Sequence, residues 1–357
     1  MTAASPASPW AARALPDLLA EHGLSGVHEQ TFPNDGWSGA TLTLLDDGGR
    51  RFILKRTSWA TDWIARSTRD HALREAVLAA DPVALPPGLA SAHLGAAADG
   101  TAAAILMPDL STWLVPWDRP DGSAVVTSAD TVDRALRALA SIHAMPWGVL
   151  RASGDDLAWP WCPLLERLQL LSRPSAERYR AGGLWVGDRF LAGWDAFDRL
   201  APPAARDLVE GLAADPAPLI DALTSLPSTG LHGDLKLANL ALLPDGRAAT
   251  IDWQMTAFAP VAVDLGWFLV SNVAQVPLAP DAVLESYFTV LAAIGGAAIA
   301  GDPSAQRDLA ILVGLVLRGW RKGLDAAAGG RLPTGAAALD DLAWWGHEAV
   351  AAAARRL

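Results

Sequence analysis

Three segments near the start of the chain, residues 27–32, 40–45 and 51–55, read as strands, and Asp46-Asp47-Gly48-Gly49 supplies a hairpin turn between the last two. Between the first two lies Pro33-Asn34-Asp35-Gly36-Trp37-Ser38-Gly39, whose glycines suit either an ordinary hairpin loop or a close backbone approach to phosphate. Residues 67–80 then carry Ala72, Leu73, Ala76, Val77 and Ala80 at helical spacing, which predicts one helix with Glu75 off the centre of its apolar stripe. An apolar strand over 102–106 leads into Met107-Pro108-Asp109-Leu110, where proline removes a backbone donor and stiffens the exit. Residues 131–143 form an amphipathic helix ending in His143, expected as a packing histidine. Further on, apolar runs 240–243 and 248–251 flank Pro244-Asp245-Gly246-Arg247, a second hairpin signal. Residues 290–300 and 310–317 read as core helices, too short to span a bilayer.

Composition narrows the class. A chain of 357 residues with 51% hydrophobic content can bury sizeable cores and suggests two domains. The expected division is a short disordered start over 1–9, a small mixed lobe over 10–109 and a larger helical lobe over 110–357. The start has neither a basic segment nor a sustained apolar core, so it does not read as a secretory signal. One cysteine, Cys162, excludes an internal disulfide framework and fits a reducing cytoplasm as a buried small hydrophobe. No Cys/His spacing suits zinc. The formal charge of -11 argues against nonspecific nucleic-acid binding and favours cationic partners through long-range attraction.

The chemistry concentrates around the second hairpin. Its first strand follows Leu231-His232-Gly233-Asp234-Leu235-Lys236-Leu237-Ala238-Asn239, and its second ends in Ile251-Asp252-Trp253-Gln254. Asn239 and Asp252 thus stand at the outer ends of two paired strands, where an amide and a carboxylate can converge on one ion. Mg2+ takes a few hard oxygen ligands and completes its shell with water and phosphate oxygens, so these two suffice. Asp234, at the start of the same loop, is placed to engage an attacking hydroxyl. Each residue alone reads equally as a turn-maker whose side chain caps local backbone; the ordered set is what points to phosphoryl transfer.

His-Gly-Asp, the asparagine five residues later and Ile-Asp-Trp resemble the catalytic and metal loops of the aminoglycoside phosphotransferase and choline kinase-like family, relatives of the protein kinases. The resemblance spans roughly residues 36–264 and implies an α+β, bilobal protein-kinase-like fold with a small β-rich N-lobe and a larger helical C-lobe. It implies ATP and Mg2+ as cofactors, Asp234 as catalytic base, Asn239 and Asp252 as metal ligands, and Asp264 as brace of the catalytic loop. His232 is expected to support that loop. Lys55, ending Arg51-Phe52-Ile53-Leu54-Lys55, resembles the lysine that contacts the α and β phosphates, with Glu75 as its ion-pair partner. Gly36, Ser38 and Gly39 would cradle phosphate, and Met107 and Asp109 would meet the adenine edge. Lys236, two residues after the aspartate, departs from the family's usual loop and follows the protein kinases; it is read as a partner of the transferred phosphate.

Sixteen tryptophans are expected to be mostly core, with Trp161, Trp185 and Trp194 in helices. The region holding Trp267, Arg318 to Asp325 and Trp344-Trp345 is the one that completes the acceptor pocket in this family. Gln254, Trp320 and Asp325 are the acceptor candidates: an indole can stack on a sugar or hold an ammonium group, and an acid can bind an amine. Packing and solvated charge explain the same residues equally well. The expected reaction is phosphorylation of a hydroxyl on a small, amine-bearing molecule such as an aminoglycoside, with antibiotic resistance as one role. A kinase for a neutral sugar, choline or homoserine shares every motif, and a silent nucleotide-binding module would need a broken site. The chain is expected to act as a cytoplasmic monomer or homodimer, without nucleic acid or membrane.

Overall fold

The structure is a computed structural model that describes residues 8–33, 36–147 and 159–357. The chain divides into two compact units, Met1–Leu114 with Pro146–Cys162 and Asn239–Thr256, and Val115–Met145 with Pro163–Ala238 and Ala257–Leu357. Most of the disordered start expected over 1–9 lies outside the described residues; Pro9–Ala12 is a short 3-10 helix.

The first unit is built on an antiparallel sheet in the order β1 (His28–Thr31), β2 (Thr41–Asp46), β3 (Arg51–Thr57), β6 (Ala102–Pro108), β5 (Gly95–Asp99). Successive strand residues point to opposite faces. Phe52 and Leu54 of β3 therefore join Leu18, Leu45 and Leu106 in one core, while Ile53 packs on the other face with Ala76, Ile105 and Met107. Lys55 has the parity of Ile53, so the strand period aims a lysine at the face covered by helix Arg74–Ala80. A second small sheet orders β4 (Leu89–Ala90), β9 (Ala248–Thr250) and β8 (Leu240–Leu242), with β8 and β9 antiparallel and Leu240 opposite Thr250.

The single helix expected over 67–80 is instead two, Trp63–Ser67 and Arg74–Ala80. Arg69 (φ 53°) and Leu73 (φ 57°) take left-handed backbone between them, which ends one helix and starts the next. Asp62 caps the first through Ala65 N–H, and both carboxylate oxygens of Asp70 receive Arg74 N–H at the second.

In the second unit, helix Pro303–Ala328 runs through the core against Trp185–Leu200, Ala262–Ser271 and Ala338–Arg356. Asp302 caps its start through Ser304 N–H with Pro303 in the first turn, and Gly329 (φ 72°) ends it. Backbones meet closely on one side: a Cβ on Gly193 would stand 2.5 Å from Trp320 O, and one on Gly323 2.5 Å from Phe197 N. Helix Ala262–Ser271 is buried all round, as its mostly apolar sequence favours, with Asp264 and Ser271 the polar residues inside it. The run 290–300 is broken: one helix stops at Ala293, Gly295 turns at φ 84°, and Ala297–Ala300 follows separately. Strands β7 (Thr229–Leu231) and β10 (Ala257–Ala259) pair beside the loop that begins at His232. Among the described residues no helix is long and apolar enough to cross a membrane.

Candidate active site

In the first unit, Lys55 Nζ lies 2.6 Å from Glu75 Oε2 and 2.9 Å from Asp252 Oδ1. Glu75 is 3% exposed, so the carboxylate that periodicity left on the flank of a stripe is buried, with His93 Nε2 3.3 Å from its other oxygen. Burial alone would lower the Lys55 pKa, but Asp252 and Glu75 outweigh it and hold the ammonium above its ordinary value. Burial likewise opposes ionisation of Glu75, yet Lys55 and His93 hold its carboxyl well below the usual range. A buried lysine fixed between two carboxylates is not a solvated strand end.

Asp252 has left-handed backbone (φ 67°, ψ 60°), uncommon outside glycine and tolerated by Asp and Asn at some cost. That twist ends β9 and leaves its side chain about one-third exposed. Asn239 flanks the other strand of the same hairpin, its carbonyl accepting from Ile251 N–H at 3.0 Å. Among the described residues no group of three or more His, Cys, Asp or Glu is arranged to hold a metal. A donor set of one amide and one carboxylate fits an ion that draws most of its shell from phosphate and water, and does not fit a protein-caged one.

Gln254 is buried and donates to Asp62 Oδ2 at 2.7 Å, so its amide is engaged inside the unit and not displayed to an acceptor. Burial raises the Asp62 pKa. Arg74 extends this lattice, donating to Gln254 O, Thr68 O and Pro160 O. Of the glycine loop, Asn34 and Asp35 lie outside the described residues, and Gly36 is exposed. Gly39 takes φ 97°, with Thr61 O 2.5 Å from where a Cβ would stand, and Ser38 O accepts Trp63 N–H at 3.1 Å. Met107 is buried against the helices. Asp109 N–H is engaged by Arg51 O at 3.0 Å, which removes that donor from any role with an adenine edge.

In the second unit, Asp264 lies in the first turn of Ala262–Ser271, where a carboxylate suits the helix dipole. Its two oxygens accept His232 N–H and Gly233 N–H, each at 2.9 Å, and His143 Nε2 stands 3.2 Å away. His143 Nδ1 in turn lies 2.7 Å from Tyr287 Oη. Burial opposes ionisation of Asp264, but His143, His232 and Arg167 hold its pKa below the ordinary value. Gly233 turns at φ 82°, which only glycine adopts freely, and presents half-buried Asp234 next. Lys236 Nζ is 3.9 Å from Asp234 Oδ2, and His232 Nδ1 accepts Asp234 N–H at 3.3 Å.

Periodicity gave no sign of Arg167, whose Nη2 donates to Gly233 O at 2.8 Å, nor of Asn272, whose Oδ1 accepts Leu237 N–H at 2.8 Å. Trp320 is 1% exposed with its ring 4.8 Å from Phe190, so it is a packing residue with no open face. Asp325 is paired with Arg321 at 2.9 Å. Trp194 is buried in its helix, whereas Trp185 is 56% exposed and Trp161 lies in no helix. A cavity of about 420 Å3 in this unit is lined by Leu269, Val276, Asp340, Trp344 and Trp345 among others, and neither Asp234 nor Asp325 borders it.

Residues 29–295 match the model of the phosphotransferase enzyme family, and the chain belongs to that family. It is similar to solved structures of a putative aminoglycoside phosphotransferase from Ralstonia eutropha (17% identity, 96% of this chain and 98% of that one, TM-score 0.48). It is also similar to a macrolide 2'-phosphotransferase from Brachybacterium faecium (20%, 96% and 97%, 0.44) and a choline kinase from Streptococcus pneumoniae (10%, 94% and 98%, 0.45). No curated protein sequence matches.

Proposed function

We propose that this phosphotransferase moves the terminal phosphoryl group of ATP to a hydroxyl of a small, amine-bearing molecule. The observation that carries the reading is the Lys55 ammonium held between Glu75 and Asp252, a buried charge cluster with no purpose in an inert strand end. Lys55 holds nucleotide phosphates. Asn239 and Asp252 are the residues that hold Mg2+, which when bound neutralises charge developing on the phosphates. Asp234, presented by the Asp264-braced loop, orients the acceptor hydroxyl and accepts its proton, and Lys236 contacts the phosphate being transferred. The amine on the acceptor is supported by the net charge of -11. The test is ADP release with Mg2+ and ATP against aminoglycosides, amino sugars, neutral sugars, choline and homoserine, with Asp234→Ala as control. Turnover with one acceptor class and none in the variant supports the reading; equal turnover in both sinks it.

A further inference from the structure

The acceptor side of the second unit carries a cation that nothing neutralises. Arg318, on Pro303–Ala328, is half-buried; its Nε is sealed from solvent, and among the described residues it makes no hydrogen bond or ion pair. It is held instead by aromatic faces, its guanidinium 4.8 Å from the Trp267 ring and 5.3 Å from that of Trp320. Arg167 stands over the same Trp267 ring at 4.4 Å while bonding the carbonyl of Gly233, the residue before Asp234. Trp267 thus links the arginine that fixes the Asp234 loop to the one left unpaired.

The acids nearby do not neutralise Arg318. Asp325, two helical turns beyond, is bound to Arg321. Burial and Arg321 push the Arg318 pKa down to about 10, and Asp234 and Asp325 oppose this without cancelling it. It stays protonated at neutral pH. A guanidinium presents a planar fork of donors matched to carboxylate or phosphoryl oxygens, and leaving it unpaired and partly desolvated is costly. Its backbone position is rigid, since Gly193 and Gly323 lock this stretch of helix against Trp185–Leu200.

We propose that Arg318 receives an anionic oxygen group, carboxylate or phosphoryl, beside Asp234 during turnover. The inference rests on Asp234 being the residue that meets the acceptor. The anion comes from one of two sources, an acidic group on the acceptor itself or the phosphoryl group passing to it. In the first case the acceptor that carries an amine also carries an acid, as a hydroxy amino acid does.

Arg318→Gln and Arg318→Lys test this at two levels. Without any turnover, inorganic phosphate and malonate are titrated against the whole protein while its thermal midpoint is followed. The wild type rises with at least one of them, Arg318→Gln does not, and Arg318→Lys responds weakly because it keeps the charge but not the fork. During turnover, acceptors are compared in matched pairs, an amino alcohol with its hydroxy amino acid and a sugar with its uronic acid. A loss of about 10- to 100-fold in kcat/KM confined to the acidic member assigns the anion to the acceptor. An equal fall in kcat for every acceptor, with loss of the tighter MgADP binding that aluminium fluoride induces, assigns it to the transferred phosphoryl group. Unchanged anion response together with unchanged kinetics in a folded Arg318→Gln overturns the proposal. A wild type that binds anions through Arg318 but transfers no phosphate would instead count against the phosphotransfer reading alone.

Discussion

Asp264→Asn keeps the shape of the side chain that fixes the Asp234 loop while changing its bonding. The carboxylate accepts two buried backbone N–H groups, from His232 and Gly233, both at 2.9 Å. An asparagine has one acceptor oxygen, so it satisfies one N–H and turns its own NH2 toward the other. Losing a hydrogen bond to a charged group costs about 1.5–3 kcal/mol, and a stranded buried donor costs about 1–3 kcal/mol more. The sum, about 2.5–6 kcal/mol, would be among the larger single-residue effects. Because the Asp264 pKa is lowered, its contribution is fully present above the ordinary carboxylate pKa and is lost only as pH falls through the lowered value, so neutral pH is the right condition. Urea denaturation followed by tryptophan fluorescence reads the change in midpoint; the transition of the helical unit is the relevant one if the two units unfold separately. A variant within about 1 kcal/mol of wild type would show that the loop does not hang on Asp264.

Three other outcomes follow from the geometry. Asp252→Asn preserves a residue type that tolerates φ 67° and shifts unfolding by less than about 2 kcal/mol, whereas Asp252→Val adds about 1–2 kcal/mol of backbone strain; both abolish Mg2+-dependent turnover. Gly39→Ala meets both φ 97° and Thr61 O, and thermal melting should show a loss of about 1–3 kcal/mol. Burial raises the Asp70 pKa from 3.8 to about 6, so its stabilising contribution is complete below about pH 3.8 and is lost as pH rises through about 6. Asp70→Asn should therefore gain on wild type by about 3 kcal/mol between pH 4 and 7, and parallel stability profiles would contradict that burial effect.

Local order was legible where local chemistry decided it. The hairpin turns, the strand ending at Lys55 and the helix entered at Ser128 all lie within a residue or two of their expected places. What stayed hidden depends on distant partners. Glu75 sits off its apolar stripe, and the lysine opposite together with His93 makes its burial tolerable. The break in 67–80 rests on left-handed Arg69 and Leu73, residue types that give no turn signal. Asp62, His93, Arg167 and Asn272 bond across long separations that no periodicity records. Trp320 shows the same limit from the other side, since helical spacing does not tell which neighbour covers a ring. The break at Gly295-Gly296 was within reach, because paired glycines are a stop signal in their own right.

Phosphoryl transfer itself is tested most directly by following the labelled terminal phosphate of ATP, with Mg2+, into the acceptor panel, using wild type and Asp234→Asn side by side. The account predicts label on an acceptor hydroxyl from the wild type and a loss of at least about 100-fold in the variant, with nucleotide still bound. Label arriving at the same rate from the Asn variant, or ATP bound by neither protein, would contradict it.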